Sequence, residues 1–284
     1  MKYVIIYLKG MLMGIADLVP GVSGGTIALI AGIYQRLINA IAAVNMKCLK
    51  LLLSGQINKV WKQIDGWFLL AVFAGILTSI FLFASLLKML FIEHPVLTWA
   101  FFFGLIIASA VLLIKKNWNA NPFLWLFLVI GVILGYVLST QSLGYLPNGA
   151  IGILLAGMIA ISAMILPGIS GSLILILLGK YQTLLAAVHD RDWGTLLLFA
   201  CGCVIGLMVF SRLLKWLLAR FHDATLYTLA GLMLGTLFKV WPWKSNETNV
   251  WPTDHVEPQL IFTVLLMLLA SLFVWLLFKL DKKS

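Results

Sequence analysis

Acidic side chains are scarce in this sequence, ten Asp and Glu against twenty Lys and Arg in 284 residues. No glutamate falls inside an apolar stretch; Glu93, Glu247 and Glu257 all sit at the ends of such stretches. The four histidines (His94, His189, His222 and His255) are scattered over span ends and loops and form no ligand cluster. Three cysteines make no disulfide framework. Cys48 lies in a Lys-rich stretch, and Cys201 and Cys203 share an apolar run with no further ligands near, so they read as small packing residues. Hydrolytic and metal chemistry are left with few groups to use, and the sequence asks for no catalytic residue, no metal and no cofactor.

What is abundant is apolar surface: 62% of residues are hydrophobic, 11% are charged, and mean hydropathy is +1.06. A soluble domain of this size could not bury that much, so the bilayer is the solvent. Six segments have the length and apolarity of ordinary spans, at roughly 67–91, 96–114, 122–140, 194–217, 225–241 and 260–279. Two further apolar pairs, 3–19 with 23–44 and 149–165 with 170–188, are each split by Pro and Gly. A re-entrant hairpin fits each pair best, and two complete spans per pair remain an open alternative. The first residues resemble a signal peptide in outline. Lys9 and Asp17 interrupt them and cleavage would damage the motif that follows, so they are read as mature protein.

That motif occurs twice. Residues 20–41 and 167–188 align without a gap at an offset of 147 and share ten identities: Pro20/Pro167, Gly21/Gly168, Ser23/Ser170, Gly24/Gly171, Ile27/Ile174, Gly32/Gly179, Tyr34/Tyr181, Gln35/Gln182, Leu37/Leu184 and Ala40/Ala187. Leu86-Leu87-Lys88 matches Leu213-Leu214-Lys215, and Gly104 matches Gly231, at an offset of 127, the difference being an extra Lys-rich loop around 45–64. Each half has an odd number of crossings, so related halves must insert upside down relative to each other. The expectation is an all-α polytopic membrane protein, one membrane domain over 1–284. It divides into a first repeat, 1–140, and a second, inverted repeat, 141–284, each a broken hairpin plus three transmembrane helices.

Charge placement gives the sidedness. With the N-terminus inside, fourteen Lys and Arg fall on cytoplasmic segments and only Lys88, Arg191, Lys239 and Lys244 outside. Both termini are then cytoplasmic. The net charge of +10 reflects topology and contact with anionic inner-leaflet lipid, with no reason to invoke nucleic acid.

In hydrocarbon, irregular backbone survives only inside protein or along a polar cavity. A helix starting after each Pro-Gly offers free N–H groups and the positive end of its dipole to an anion. The candidate residues for holding an anion, a phosphate or a carboxylate, are Gly21, Val22, Ser23, Gly24, Gly25 and Thr26 with Gly168, Ile169, Ser170, Gly171 and Ser172. Kinks lined by small residues for tight packing are the bland reading, and two matched copies favour a site over it. The glycine pairs Gly131/Gly135, Gly202/Gly206 and Gly231/Gly235 read as packing devices. Asp17 is either a proton-coupling carboxylate or a partner for nearby backbone N–H groups, and its counterpart is Met164. Arg36 and Lys180 lie well along the outgoing arms, roughly 15–20 Å from the motif at helical rise. They are placed to greet an anionic head group at the hairpin mouth, or else to snorkel to the interface.

At Asp17-Leu-Val-Pro-Gly-Val-Ser-Gly-Gly-Thr26, followed by Ile30-Ala-Gly-Ile-Tyr34, the chain resembles the bacterial polyprenyl-phosphate transporters. The resemblance runs over essentially the whole chain. It implies return of undecaprenyl phosphate, the lipid carrier of cell-wall precursors, from the outer to the inner leaflet of the cytoplasmic membrane. Undecaprenyl-pyrophosphate phosphatases carry a similar repeated motif with an arginine where Gly24 and Gly171 stand here, plus a glutamate pair that this chain lacks. An ion-coupled carrier of a small water-soluble anion is the other alternative. The implied partners are undecaprenyl phosphate and the bilayer, with protons as one candidate coupling ion; a homo-oligomer is compatible with the sequence.

Overall fold

The computed structural model describes residues 2–19, 21–140, 144, 146–245 and 248–281. Pro20 and Glu247, read above from sequence, and Lys282 and Lys283, two of the fourteen cations assigned to the cytoplasmic side, lie outside the described residues.

The first half begins with α1 (Lys2–Asp17), α2 (Gly24–Ile30) and α3 (Tyr34–Ala42). Two short helices follow in the Lys-rich loop, α4 (Met46–Leu53) and α5 (Ile57–Gln63). The half closes with α6 (Gly66–Glu93), α7 (Pro95–Lys116) and α8 (Phe123–Thr140). The second half repeats the plan with α9 (Ala150–Ile165), α10 (Gly171–Leu177), α11 (Tyr181–His189), α12 (Trp193–Arg220), α13 (His222–Gly235) and α14 (Leu260–Asp281). Between α13 and α14 lies a small hairpin, β1 (Lys244–Ser245) paired antiparallel with β2 (Thr248–Asn249).

Helix ends follow local chemistry. Asn45 caps α4 through the N–H groups of Lys47 and Cys48, Asp192 caps α12 through Thr195 N–H, and Pro95 opens α7 where its missing donor costs nothing. Leu53 and Ile57 are 80% and 63% exposed beside the lysines of α4 and α5, an arrangement suited to a lipid interface.

Five helices among the described residues are long and apolar enough to cross a membrane: α6, α7, α8, α12 and α14. The protein is therefore a multi-pass membrane protein. The sixth expected span, 225–241, is shorter than its apolar run. As an α-helix it ends at Gly235 and tightens into a 3-10 turn over Thr236–Phe238, so α13 measures 14 residues, about 21 Å.

Within each half, α1 packs on α6 and α9 packs on α12; across the halves, α7 packs on α14 and α8 on α13. Exchanging the halves maps this set of pairs onto itself. The seams are close because glycine lines them. A Cβ on Gly231 would stand 2.9 Å from Gly131 Cα, and one on Gly235 would stand 2.9 Å from Gly135 Cα. Backbones touch there, as the packing reading requires. Gly231→Leu is expected to lower stability by about 2 kcal/mol through overpacking, measured as a lower melting temperature in detergent.

The first copy of the repeated motif lies in the interior. Val19, Val22, Ser23, Thr26, Ala28 and Ile169 are each at most 1% exposed, whereas Phe81 and Ile261 on the outer helix faces are 83% and 75% exposed to lipid. Cys48 is buried, Cys203 half-buried and Cys201 exposed, all as free thiols.

Candidate functional site

The two breaks share one backbone course. Gly21 and Gly168 take φ of +84° and +87°, and Ser23 and Ser170 are extended residues at the N-caps of α2 and α10. At the far ends Gly32 and Gly179, with φ of +70° and +66°, close both helices in the same way. The Ile33 N–H reaches back to Ala28 C=O (3.0 Å) and the Lys180 N–H to Leu175 C=O (2.9 Å). A left-handed residue there ends a helix, and glycine adopts it without a Cβ penalty. The chain then leaves at 117° in the first copy and 111° in the second. The outgoing arms, expected as single segments over 23–44 and 170–188, are thus each two helices, and the Gly32/Gly179 identity is what divides them.

α2 runs back along α1 and is held at both ends by it. Asp17 Oδ1 accepts the Gly24 N–H at 2.7 Å, and Lys9 Nζ donates to Ala31 C=O. Eight residues of α1 advance about 12 Å, close to the length of seven-residue α2. A carboxylate therefore meets the positive end of α2 and an ammonium its negative end. Ser23 Oγ accepts the Gly25 N–H at 3.1 Å, and the Thr26 N–H bonds Ser23 C=O at 2.9 Å. The N–H groups expected to be free at this helix start are already taken, because the chain supplies its own anion. Of the two roles open for Asp17, the geometry contains the backbone-binding one.

The second copy is held differently. Met164 stands where Asp17 does, and Ser170 Oγ pairs with Ser172 Oγ at 2.8 Å without capping α10. The N–H groups of Gly171, Ser172 and Leu173 have no partner among the described residues. Burial differs too: six of seven residues are buried in α2, but only Leu173 and Ile174 in α10.

The breaks meet. Ser23 Oγ donates to Met164 C=O at 3.1 Å, Tyr34 Oη donates to Ile165 C=O at 3.2 Å, and Thr26 Oγ1 accepts the Gly168 N–H at 3.0 Å. Side chains of the first copy thus satisfy the backbone groups that the second break exposes. The glycines allow close approach by the protein's own oxygens: a Cβ on Gly24 would lie 2.6 Å from the Asp17 carboxylate, and one on Gly25 2.7 Å from Ile165 O. Val22 and Ile169 contribute buried side chains, and their N–H groups bond Val19 C=O and Leu166 C=O. Beside the contact lies a cavity of about 180 Å³, where Asp17, Gly24, Gly25 and Tyr34 meet apolar walls that include Met164 and Phe73.

The two outlying cations are not brought to this contact. Arg36 Nε pairs with Asp65 at 2.7 Å, and the guanidinium lies 4.2 Å over the Phe68 ring. Lys180 sits at the α10–α11 bend, only 4% exposed, with Nζ 3.0 Å from Asn148 Oδ1. Sequence reasoning assigned nothing to Lys9 or Tyr34. The signals were present, since Lys9 precedes Asp17 by eight residues in an otherwise apolar arm and Tyr34 is one of the repeated identities. Among the described residues no three His, Cys, Asp or Glu come together as a metal site.

Residues 13–257 match the model of a family described as undecaprenyl phosphate translocase-like. The chain is 47% identical over 259 residues to a protein of Vibrio cholerae named polyprenyl-phosphate transporter, covering 91% of this chain and 83% of that one. It is 30% identical over 262 residues to a Staphylococcus aureus protein of the same name, covering 86% and 88%. No solved structure matches.

Proposed function

This chain belongs to the undecaprenyl phosphate translocase-like family, and from that premise we propose that it carries undecaprenyl phosphate from the outer to the inner leaflet of the cytoplasmic membrane. At the coarser level it is a polyprenyl-phosphate transporter. The tail stays in lipid while the phosphate crosses at the two joined breaks.

One observation carries the choice of pathway: the matched breaks meet through the buried side chains of Ser23, Thr26 and Tyr34. A phosphate crossing hydrocarbon needs donors at mid-depth, and broken helices provide them without adding charge. In this conformation the second break is the receiving one. Its N–H groups at Gly171, Ser172 and Leu173 are unpartnered among the described residues, and Ser170 and Ser172 add hydroxyls. The phosphate then passes to Gly21–Thr26, where Asp17 must yield its place. Two anions at one helix start repel, so arrival of phosphate favours a protonated or displaced Asp17, which links transport to protons.

Sidedness follows the charge distribution. Arg212 bonds Val44 C=O at 2.7 Å and Asn119 bonds Asp223 at 2.9 Å, contacts between segments that the lysine and arginine bias assigns to the cytoplasm. The lower burial of α10 than of α2 supports a reading in which the second break rocks against the first and gives alternating access between halves taken as inverted. Against hydrolysis stand Gly24 and Gly171, which bring no cation to the phosphate, and the transporter names of the relatives.

The test is leaflet-resolved movement of labelled undecaprenyl phosphate in liposomes. The double variant Ser23→Ala with Ser170→Ala is expected to slow it at least about tenfold, since each hydroxyl lost removes a charge-assisted bond to the phosphate. An unchanged rate would take the motif out of the pathway. Movement of soluble phosphate alone would favour a small-anion carrier, and phosphate release from the pyrophosphate lipid would reinstate an enzyme.

A further inference from the structure

Tyr34 has a cavity on each side. One is the 180 Å³ space at the breaks; the other, of about 260 Å³, opens at the end of the bundle that carries Lys115, Lys116 and Arg220. The ring is 4% exposed and is held by a single hydroxyl bond to Ile165 C=O. The floor of the larger cavity is the Gly32 bend, its walls include Leu112, Leu113 and Leu226, and its rim carries Gln35, Lys116 and His222.

We propose that this second cavity is a station for the phosphate monoester of a polyprenyl phosphate, reached past Tyr34 from the paired breaks. The proposal rests on the transport reading above and adds a site to it.

The rim has the chemistry of an anion site. Lys116 makes no ion pair among the described residues; its Nζ lies 5.2 Å from the Phe278 ring, leaving its charge available. The side-chain amide of Gln35 has no hydrogen-bond partner among the described residues, and it also borders the polar recess of Arg36 and Asp65. Asp223, next to the rim residue His222 in sequence, is occupied by Asn119 at 2.9 Å and His222 at 3.2 Å. Ser109 donates its hydroxyl to Leu105 C=O and Asn117 one amide N–H to Leu113 C=O, so the anion would be met chiefly by Lys116 and Gln35, with the second Asn117 N–H beside them.

The walls select the kind of anion. Leucines directly below a cationic rim suit a phosphate with an isoprenoid chain and offer nothing to free phosphate, which would leave them empty. Rotation of the Tyr34 ring would join the two cavities and give up only the Ile165 bond. The head group would then move between stations without entering hydrocarbon unaccompanied.

The test uses the purified full chain and a farnesyl monophosphate analogue carrying a photoactivatable diazirine on its first isoprene unit, with labelled peptides mapped by mass spectrometry. Labels are expected within 109–117 and 218–226 as well as at the breaks. Lys116→Glu and the milder Lys116→Gln should reduce the first set about tenfold with the melting temperature unchanged. Lys116→Arg should retain them, and the break labels should persist in all three. Absence of labels at 109–117 and 218–226 in the native chain, or equal labelling in Lys116→Glu, would overturn the station while leaving transport through the breaks intact. Labels there but none at the breaks would instead remove the central pathway and leave the station standing. Unlabelled farnesyl monophosphate is expected to compete at least about tenfold better than inorganic phosphate. Equal potency would make this a free-phosphate site and overturn the lipid assignment.

Discussion

Asp17→Asn is expected to bind a short-chain polyprenyl phosphate on the order of a hundredfold more tightly than the native chain, and to turn over more slowly. In the native chain the Asp17 carboxylate sits 2.7 Å from the Gly24 nitrogen, where an incoming phosphate oxygen would seek the same N–H. Two unit charges 4 Å apart at an effective dielectric near 20 repel by about 4 kcal/mol. Asparagine keeps a neutral acceptor for Gly24 and removes that repulsion. The pH dependence has a definite sign. Native binding should weaken as pH rises, because the proton that lets Asp17 tolerate the phosphate becomes harder to supply. The asparagine variant should follow only the phosphate's own ionisation. Calorimetric titration of farnesyl monophosphate across pH measures both, and equal affinities with parallel pH profiles would exclude Asp17 as the group that yields to the substrate. Slow turnover follows from the same logic, since a tightly held phosphate has lost the anion that displaces it.

Gly25→Val is expected to reduce transport to less than about a tenth of the native rate. Gly25 lies where the copies touch: an added Cβ would stand 2.7 Å from Ile165 O and 3.2 Å from Ser23 Oγ. Neither neighbour is the free end of a flexible side chain. A branched residue must separate the breaks, at a cost of about 3 kcal/mol by overpacking, and parting them breaks the Ser23, Thr26 and Tyr34 bonds together. Gly25→Ala should lie between the two. Liposome transport with the melting temperature measured in parallel reads the effect, and a native rate in Gly25→Val would mean that the copies need not touch for transport.

Much of this was legible before any coordinates. Apolar length located five of the six ordinary spans, and the repeated Pro-Gly-x-Ser-Gly string located both breaks, because a broken helix in lipid needs unusual residues and leaves a mark in sequence. The sixth span was overextended since the apolar residues of 236–241 continue past the end of the helix, where hydropathy cannot distinguish a 3-10 turn from an α-helix. Gly32 and Gly179 were seen as identities without their meaning, because a glycine in an apolar run reads equally as packing or as a helix end. The pairing of Asp17 with Gly24, and of Lys9 with Ala31, depends on α2 folding back along α1. Spacing along the chain hinted at that and could not fix it. What Lys180 touches was beyond reach, since its partner Asn148 lies on the other side of two helices.

The helix pairings also impose an order of assembly. α1 and α6 find each other as soon as the first half is made, and α9 and α12 can do the same in the second. α7 and α8 cannot, since their partners are α14 and α13. During synthesis these two helices must wait in the membrane with their glycine seams facing lipid, or be sheltered by the insertion machinery. A ribosome stalled before Leu260 would leave α7 against α13, α6 and α2 but without α14, its most extensive partner, even with both breaks complete. The seam of α7 closes only when α14 enters the bilayer, so α14 governs the order of assembly as well as forming a wall of the bundle.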